Sequence, residues 1–209
     1  MMMPFHYRRI GPEFLSELFD TVAAGHSAVL LGPHYVGKRY VLAQLEDPCR
    51  KRHLGPIVRV FIPSAQRLTT LAGLGALLRK AVQEADVASV VPDPPETDPL
   101  RPLDELSARS GRPVVLLVAN VDRMAHHVAR RFLQEVRTRV EARQLVAVLT
   151  GEYDFRDLVH GPQSEFNCAH QFVLQGFEMT EYRRLLDKYA RASGIQFEPA
   201  DRWRSCCGS

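Results

Sequence analysis

The chain has 209 residues, of which 45% are hydrophobic and 24% are charged, and this is the composition of an ordinary globular protein. The formal net charge of +3 permits contact with polyanions but does not indicate it. No apolar stretch approaches the roughly 20 residues of a membrane helix, and residues 1–10 lack the apolar run of a secretory signal. We therefore expect a cytoplasmic protein without membrane contact, and the four cysteines, which lack zinc-ligand spacing, should be reduced thiols.

Strand-like and helix-like segments alternate along the chain, which predicts βαβ units and a parallel sheet. In chain order, the pattern predicts helix 13–24, strand 27–31, helix 38–45, strand 57–62, helix 70–85, strand 113–118, helix 125–142, strand 145–149, strand 171–174 and a helix from Thr180 to about Ala192. Asp47-Pro48 should end the second helix, and the proline-rich segment 92–102 should be a surface loop. The expected fold class is α/β, a three-layer α/β/α sandwich with a parallel, roughly five-stranded sheet.

A glycine-rich loop between the first strand and the second helix carries the strongest chemical signal. It has the pattern G-x-x-x-x-G-K, in the strand–loop–helix context that this phosphate-binding motif requires. Glycine lets the backbone wrap a phosphate closely, and the lysine adds a positive charge for the β- and γ-phosphates. We therefore predict an ATP or ADP site; the alternative is a glycine turn with an incidental lysine. The expected nucleotide-binding residues are Gly32, Pro33, His34, Tyr35, Val36, Gly37, Lys38, Arg39 and Tyr40.

Three of these loop positions carry side chains that are unusual for such a loop or open to two interpretations. His34 and Tyr35 either border the nucleotide or face solvent as ordinary loop residues. Arg39 occupies the position where Ser or Thr normally supplies a hydroxyl to Mg²⁺. A guanidinium has donors and no acceptor, so it cannot ligate a metal, although it can contact phosphate. Magnesium binding is therefore possible but its site is degenerate at this position.

The segment 113–124, PVVLLVANVDRM, resembles the Walker B strand of AAA+ ATPases, and especially those of STAND-type signalling proteins and origin-recognition-like ATPases. The Asp-Glu pair of that family falls on Ala119 and Asn120, and Asp122 is the acid that remains nearby. The stretch 145–151 looks like the strand that ends in a polar sensor residue, which here is Thr150. The resemblance runs from about Arg8 to Ala192.

The same resemblance implies a domain organisation. Residues 1–177 would form the P-loop ATPase-like core, and residues 178–209 a partial helical lid and tail, because the stretch 166–186 looks like the last strand and the first lid helix of the family. Arg202 or Arg204 could take the place of the lid arginine that senses the γ-phosphate. We interpret this end instead as a frayed tail.

The altered acids bear on catalysis. Asp122, Asn120 and Thr150 are the candidate catalytic residues, and Asp122 is the candidate metal ligand. Ala119 can neither hold a metal nor polarise water, and Asn120 can orient water but is no base. Asp122 also has an ordinary interpretation as a helix cap or surface acid. Whether the chain is an enzyme is left open, and we expect slow or absent hydrolysis.

Three functions follow from these observations. The first is a regulatory AAA+/STAND-like domain that binds ATP or ADP and responds through conformation, a protein partner or self-assembly. The second is a pseudo-ATPase that serves as an interaction scaffold. The third is an active ATPase acting on DNA through the basic helix 125–142. We do not favour nucleic acid as a partner, because the arginines of that helix can instead form a solvated face paired with Glu135 and Glu141.

Overall fold

The computed structural model describes residues 7–8, 10–63, 65, 67–85, 98–160, 164, 166–176 and 187. The chain divides into two units, Met1–Gln175 and Gly176–Ser209, and the architecture below is that of the first. The helix predicted from Thr180, apart from Asp187, lies outside the described residues, as do Arg202 and Arg204. The proposed lid therefore stays a prediction. Among the described residues, no helix has both the length and the hydropathy that crossing a membrane requires.

A parallel sheet of six strands forms the middle layer, in the order β1-β6-β2-β5-β4-β3. All five predicted strands are present. The additional one, β1, has two residues, too few to give a sequence pattern, and pairs with β6 at the edge. Every residue of β2, β4 and β5 is buried, as expected for a parallel sheet covered on both faces. The bounds are β1 Tyr7–Arg8, β2 Ala28–Leu31, β3 Ile57–Phe61, β4 Val114–Ala119, β5 Leu145–Gly151 and β6 His170–Leu174.

Helices cover the two faces of the sheet. They are α1 Pro12–Ala23, α2 Lys38–Lys51, α3 Leu71–Ala85, α4 Arg101–Ser110, α5 His126–Glu141 and α6 Arg156–His160, with short 3₁₀ turns at Val121–Arg123 and Tyr153–Phe155. Helices α1 and α2 pack with one set of alternating strand residues, and α3 to α6 with the other set. This arrangement confirms the predicted α/β class and its three layers.

Two boundary predictions were wrong, both at prolines. Helix α2 does not end at Asp47-Pro48 but continues to Lys51, because Leu45 and Cys49 on its inner face are buried in the core and hold the last turns in place. The loop predicted over 92–102 ends earlier, since α4 begins at Arg101; its residues 92–97 lie outside the described residues. Pro102 lies in the first turn of α4, where the missing N–H is not needed.

Candidate functional site

Three loops meet at the carboxyl edge of the sheet. They follow β2, β4 and β5 and begin at Gly32, Asn120 and Glu152. Strand β2 lies between β5 and β6. The chain leaves β2 for β3 on the β5 side, and after β5 it crosses to β6 on the other side of β2. In open α/β sheets, ligands bind outside the carboxyl ends of the strands where the strand order reverses. This edge is therefore the candidate site.

The phosphate loop has the backbone that a phosphate cradle needs. Gly37 has φ +97°, a left-handed conformation that favours glycine, and α2 starts at the next residue without a side-chain cap on its N-terminus. Gly32 is tightly enclosed, since a Cβ would lie 3.1 Å from the carbonyl oxygen of Leu174 and from Val36 Cγ1 and would force these neighbours to shift. The helix N-terminus and its N–H groups face the loop, which suits an anion. The loop therefore fits a nucleotide phosphate.

Lys38 lies at the base of this loop with 7% of its surface exposed. Its Nζ donates hydrogen bonds to the carbonyl oxygens of Gly32, at 2.6 Å, and Pro33, at 2.8 Å. Burial lowers the pKa of Lys38, and the charges of Asp122 and Glu152 oppose that shift. Both hydrogen-bond acceptors of this buried ammonium are neutral carbonyls. A bound anion would be a stronger acceptor and can therefore replace one of them.

The other predicted nucleotide contacts differ in exposure. Val36 is buried, while His34 and Tyr40 are exposed. Tyr35 has φ +59° and is 97% exposed, so its ring extends into solvent from the tip of the loop. Its contact with a nucleotide stays a prediction, and its exposure agrees with the solvent-facing alternative.

The residues at the magnesium positions make other contacts. The Arg39 guanidinium lies over the Phe61 ring, 4.1 Å from its centroid. Ala119 is buried in the core between the sheet and α2. Asp122 accepts a hydrogen bond from the Glu152 backbone N–H at 3.2 Å. Within the described residues, no group of three or more His, Cys, Asp or Glu side chains is placed to hold a metal ion.

Asn120 and Thr150 join the ends of three strands. The Asn120 backbone N–H donates to Thr150 Oγ1 at 3.3 Å, and its side-chain amide donates to the carbonyl of Ile62 at 3.1 Å. Asn120 is left-handed, with φ +63°, and Thr150 is fully buried. These contacts link the ends of β3, β4 and β5. They give both residues a structural role, and their catalytic roles stay predictions.

Arg123 and Glu152, two residues beside the loop that the sequence analysis missed, form a polar cluster with His34 and Asp122. We call His34, Asp122, Arg123 and Glu152 the Arg123 cluster. Arg123 Nη2 lies 2.7 Å from His34 Nε2 and 3.3 Å from Glu152 Oε1, and its Nε lies 3.4 Å from Asp122 Oδ2. His34 Nδ1 is 2.5 Å from Glu152 Oε1. The available signal was position: Arg123 and Glu152 both follow the carboxyl ends of central strands.

A cavity of about 390 Å³ adjoins this cluster. Asp122, Arg123 and Glu152 line it, and Arg67 and Phe155 are among the residues that complete it. Arg67 is exposed, and its Nε donates to the carbonyl of Met124 at 3.2 Å. The Arg123 side chain therefore lies between the loop and open space.

The basic helix α5 has its arginines in ion pairs. Arg131 contacts Glu135 and Arg137 contacts Glu141, each at 2.7 Å, which confirms the predicted pairing with these two acids. Arg139 does not belong to a solvated face: it is 6% exposed and contacts three carboxylates. Those partners are Asp98, Asp104 and Glu135, each at 2.8 Å.

No known family model matches the chain, and no curated protein does. Solved structures do. The Orc1 protein of Aeropyrum pernix in complex with DNA matches with a TM-score of 0.62 and 15% identity over 92% of this chain and 52% of its own. Cdc6p of Pyrobaculum aerophilum has a TM-score of 0.62 and 14% identity, covering 91% and 52%. AMPPCP-bound DnaA of Aquifex aeolicus has 0.53 and 9%, covering 91% and 55%.

These neighbours are AAA+ P-loop ATPases, and the chain shares their fold. At this level of identity the likeness establishes the fold alone. The chain spans about half the length of each of these three structures.

Proposed function

We propose that this chain is a regulatory AAA+/STAND-like domain that binds ATP or ADP and hydrolyses ATP weakly or not at all. The observation that carries the proposal is the phosphate loop. Lys38 follows the left-handed Gly37 at the N-terminus of α2, and its buried ammonium donates to the carbonyl of Gly32. A protein that used this segment only as a turn would have no need to bury an ammonium there, because burial of a charge is costly unless it is paired.

Weak hydrolysis follows from the residues around the loop. Phosphoryl transfer requires a metal that neutralises charge and a group that positions water. Arg39 lies on Phe61, and Asn120 donates its side-chain amide to the Ile62 carbonyl. The side chain of Ala119 has no polar atom. Asp122 is already engaged with the Glu152 backbone. The residues present do not fit a magnesium ion, and we assign no step to one.

Binding would be read out through the loop. On arrival of a phosphate, Lys38 exchanges its bonds to Gly32 and Pro33 for phosphate oxygens. The loop also contacts Glu152 through His34, so a shift of the loop changes the segment between β5 and α6. A nucleotide that prefers one arrangement shifts the population toward it. We propose a protein partner or self-assembly as the recipient of this signal, and a cytoplasmic location.

Calorimetric titration tests the proposal. ATP and ADP are titrated into the wild type, Lys38→Ala and Lys51→Ala, with Mg²⁺ and with EDTA. Lys51 is the matched control, an exposed lysine in the last turn of the same helix. We expect binding by the wild type and the control, loss in Lys38→Ala, and little effect of Mg²⁺. If neither nucleotide binds the wild type, the proposal is wrong.

The second candidate is a pseudo-ATPase scaffold. One observation favours it: Lys38 is satisfied by two carbonyl groups of its own loop, so the fold needs no nucleotide to compensate the charge. Absence of binding in the titration above would support this candidate. An unchanged partner interaction in Lys38→Ala would do the same.

The third candidate is an active ATPase on DNA. Similar proteins were solved with DNA, which motivates the test, whereas the ion pairs of α5 reduce the charge available for phosphates. Fluorescence anisotropy with duplex DNA at several salt concentrations separates it from the others. Steep salt-dependent binding that Arg131→Gln weakens would favour this candidate.

A further inference from the structure

The Arg123 cluster has an electrostatic problem at its centre. Asp122 and Glu152 lie close enough to Lys38 that both charges raise its pKa against the effect of burial. A phosphate bound at Lys38 would therefore lie in the field of two carboxylates. In metal-dependent sites a divalent cation between carboxylate and phosphate removes this repulsion. Here the residues do not fit such a cation, so another positive charge is needed.

Arg123 is placed to supply that charge. Its Nη2 lies 2.7 Å from His34 Nε2, within the phosphate loop, and 3.3 Å from Glu152 Oε1. Its Nε lies 3.4 Å from Asp122 Oδ2. One guanidinium thus contacts the loop and both acids that repel phosphate. A planar guanidinium also matches the geometry of two phosphate oxygens, which an ammonium does not.

The guanidinium has one donor without a hydrogen bond and room to move. Arg123 Nε is buried and makes no hydrogen bond among the described residues. The side chain is 34% exposed and borders the cavity of about 390 Å³, so it can turn without displacing the core. Because Arg123 donates to His34 Nε2, the histidine has its proton on Nδ1, directed at Glu152. The contact between Arg123 and the loop is thus one hydrogen bond to a ring nitrogen, and a negatively charged phosphate oxygen is a stronger acceptor for the same guanidinium.

We propose that Arg123 is the counter-charge for the terminal phosphate of ATP, that it takes the place of magnesium, and that it makes the site distinguish ATP from ADP. This inference rests on the proposed nucleotide binding. In the free protein, His34, Asp122 and Glu152 hold Arg123 beside the loop. When ATP binds, Arg123 contacts the terminal phosphate while remaining close to the two acids. ADP lacks that phosphate and leaves Arg123 in its free arrangement.

The test is titration of ATP and of ADP, in EDTA, into the wild type, Arg123→Gln and Arg67→Gln. Arg67 is the matched control, because it lines the same cavity but its Nε donates to the carbonyl of Met124 and not to a loop residue. We expect Arg123→Gln to weaken ATP binding by about tenfold or more, equivalent to about 1.4 kcal/mol. ADP affinity should change less than about threefold, and Arg67→Gln should leave both affinities near the wild-type values.

Other outcomes separate this inference from the proposed function. If ATP and ADP bind the wild type, Lys38→Ala abolishes binding and Arg123→Gln alters both nucleotides equally or neither, the role of Arg123 is refuted and nucleotide binding stands. If the wild type binds neither nucleotide, both are refuted. Circular dichroism confirms the fold of each variant. Should Arg123→Gln unfold, Arg123→Lys, which keeps the charge but loses the planar fork, must still reduce ATP affinity selectively.

Discussion

Replacement of Arg139 by leucine should destabilise the fold markedly, because this side chain is a buried cation shared by three carboxylates. Arg139 is 6% exposed and joins α5 to α4 through Asp104 and to the segment before α4 through Asp98. It also contacts Glu135 on its own helix. Burial alone would lower the pKa of Arg139, but the hydrogen bonds to Asp104 and Glu135 and the carboxylate charges raise it overall. The guanidinium is therefore charged in the folded protein.

The size of the effect can be worked from the partners. Removing one member of a buried ion pair costs about 3–5 kcal/mol when the other charge stays buried. Asp98 and Asp104 are each 34% exposed, so water recovers part of their solvation, and Glu135 keeps its contact with Arg131 at 2.7 Å. We therefore expect a loss of about 2–3 kcal/mol in the free energy of unfolding.

Urea unfolding at neutral pH, monitored by circular dichroism, measures this loss. Arg137→Leu is the matched control on the same helix, since its pair with Glu141 is 37% and 57% exposed and should contribute about 0.3–0.5 kcal/mol. Adding Asp104→Asn to Arg139→Leu should recover part of the stability, because an unpaired carboxylate is removed. Equal losses in Arg139→Leu and Arg137→Leu would refute the role of Arg139 as a buried anchor.

Three further predictions concern the loop and the buried thiol. Gly32→Ala should cost about 1–3 kcal/mol of stability and weaken nucleotide binding, because its Cβ would lie 3.1 Å from the Leu174 carbonyl oxygen. Gly11→Ala, where a Cβ has nothing within 4 Å, is the control and should cost less than about 1 kcal/mol. Equal losses of the two variants in urea unfolding would contradict this prediction. Because burial lowers the pKa of Lys38, the folded protein binds the ammonium proton less tightly than the unfolded chain does. The wild type should therefore gain stability relative to Lys38→Met as the pH rises from the lowered pKa toward 10.5. A difference in the free energy of unfolding that stays constant over this pH range would refute the prediction. Burial raises the pKa of Cys49 to about 11, so iodoacetamide should label Cys168 before Cys49 in the native protein, and equal labelling in peptide mapping would be incompatible with this.

The resemblance to AAA+ ATPases was confirmed at the level of the fold, although no sequence comparison found a match. The reason is that fold depends on the alternation of buried strands and amphipathic helices, which tolerates many side-chain replacements. Roles of individual residues are less tolerant. The assignments of Asp122, Asn120 and Thr150 came from the order of family motifs. In the structure each of these side chains makes a hydrogen bond to the backbone of another strand end or loop.

The sequence by itself determined the features whose causes are local. The strand before Gly32, the left-handed position at Gly37 and the helix from Lys38 are adjacent in the chain, so their pattern is readable without a fold. The apolar run of β4 likewise had to be a buried central strand, since no polar residue interrupts it.

Only the tertiary structure decided features that join distant segments. Pro48 remains helical because Cys49 is buried, and Arg139 is an anchor because Asp98 and Asp104 come from another part of the chain. The Arg123 cluster exists because the parallel register places the ends of β2, β4 and β5 side by side. Sequence periodicity predicts which residues of a strand are buried, but strand order and register arise from packing between elements, and these determine which loops meet.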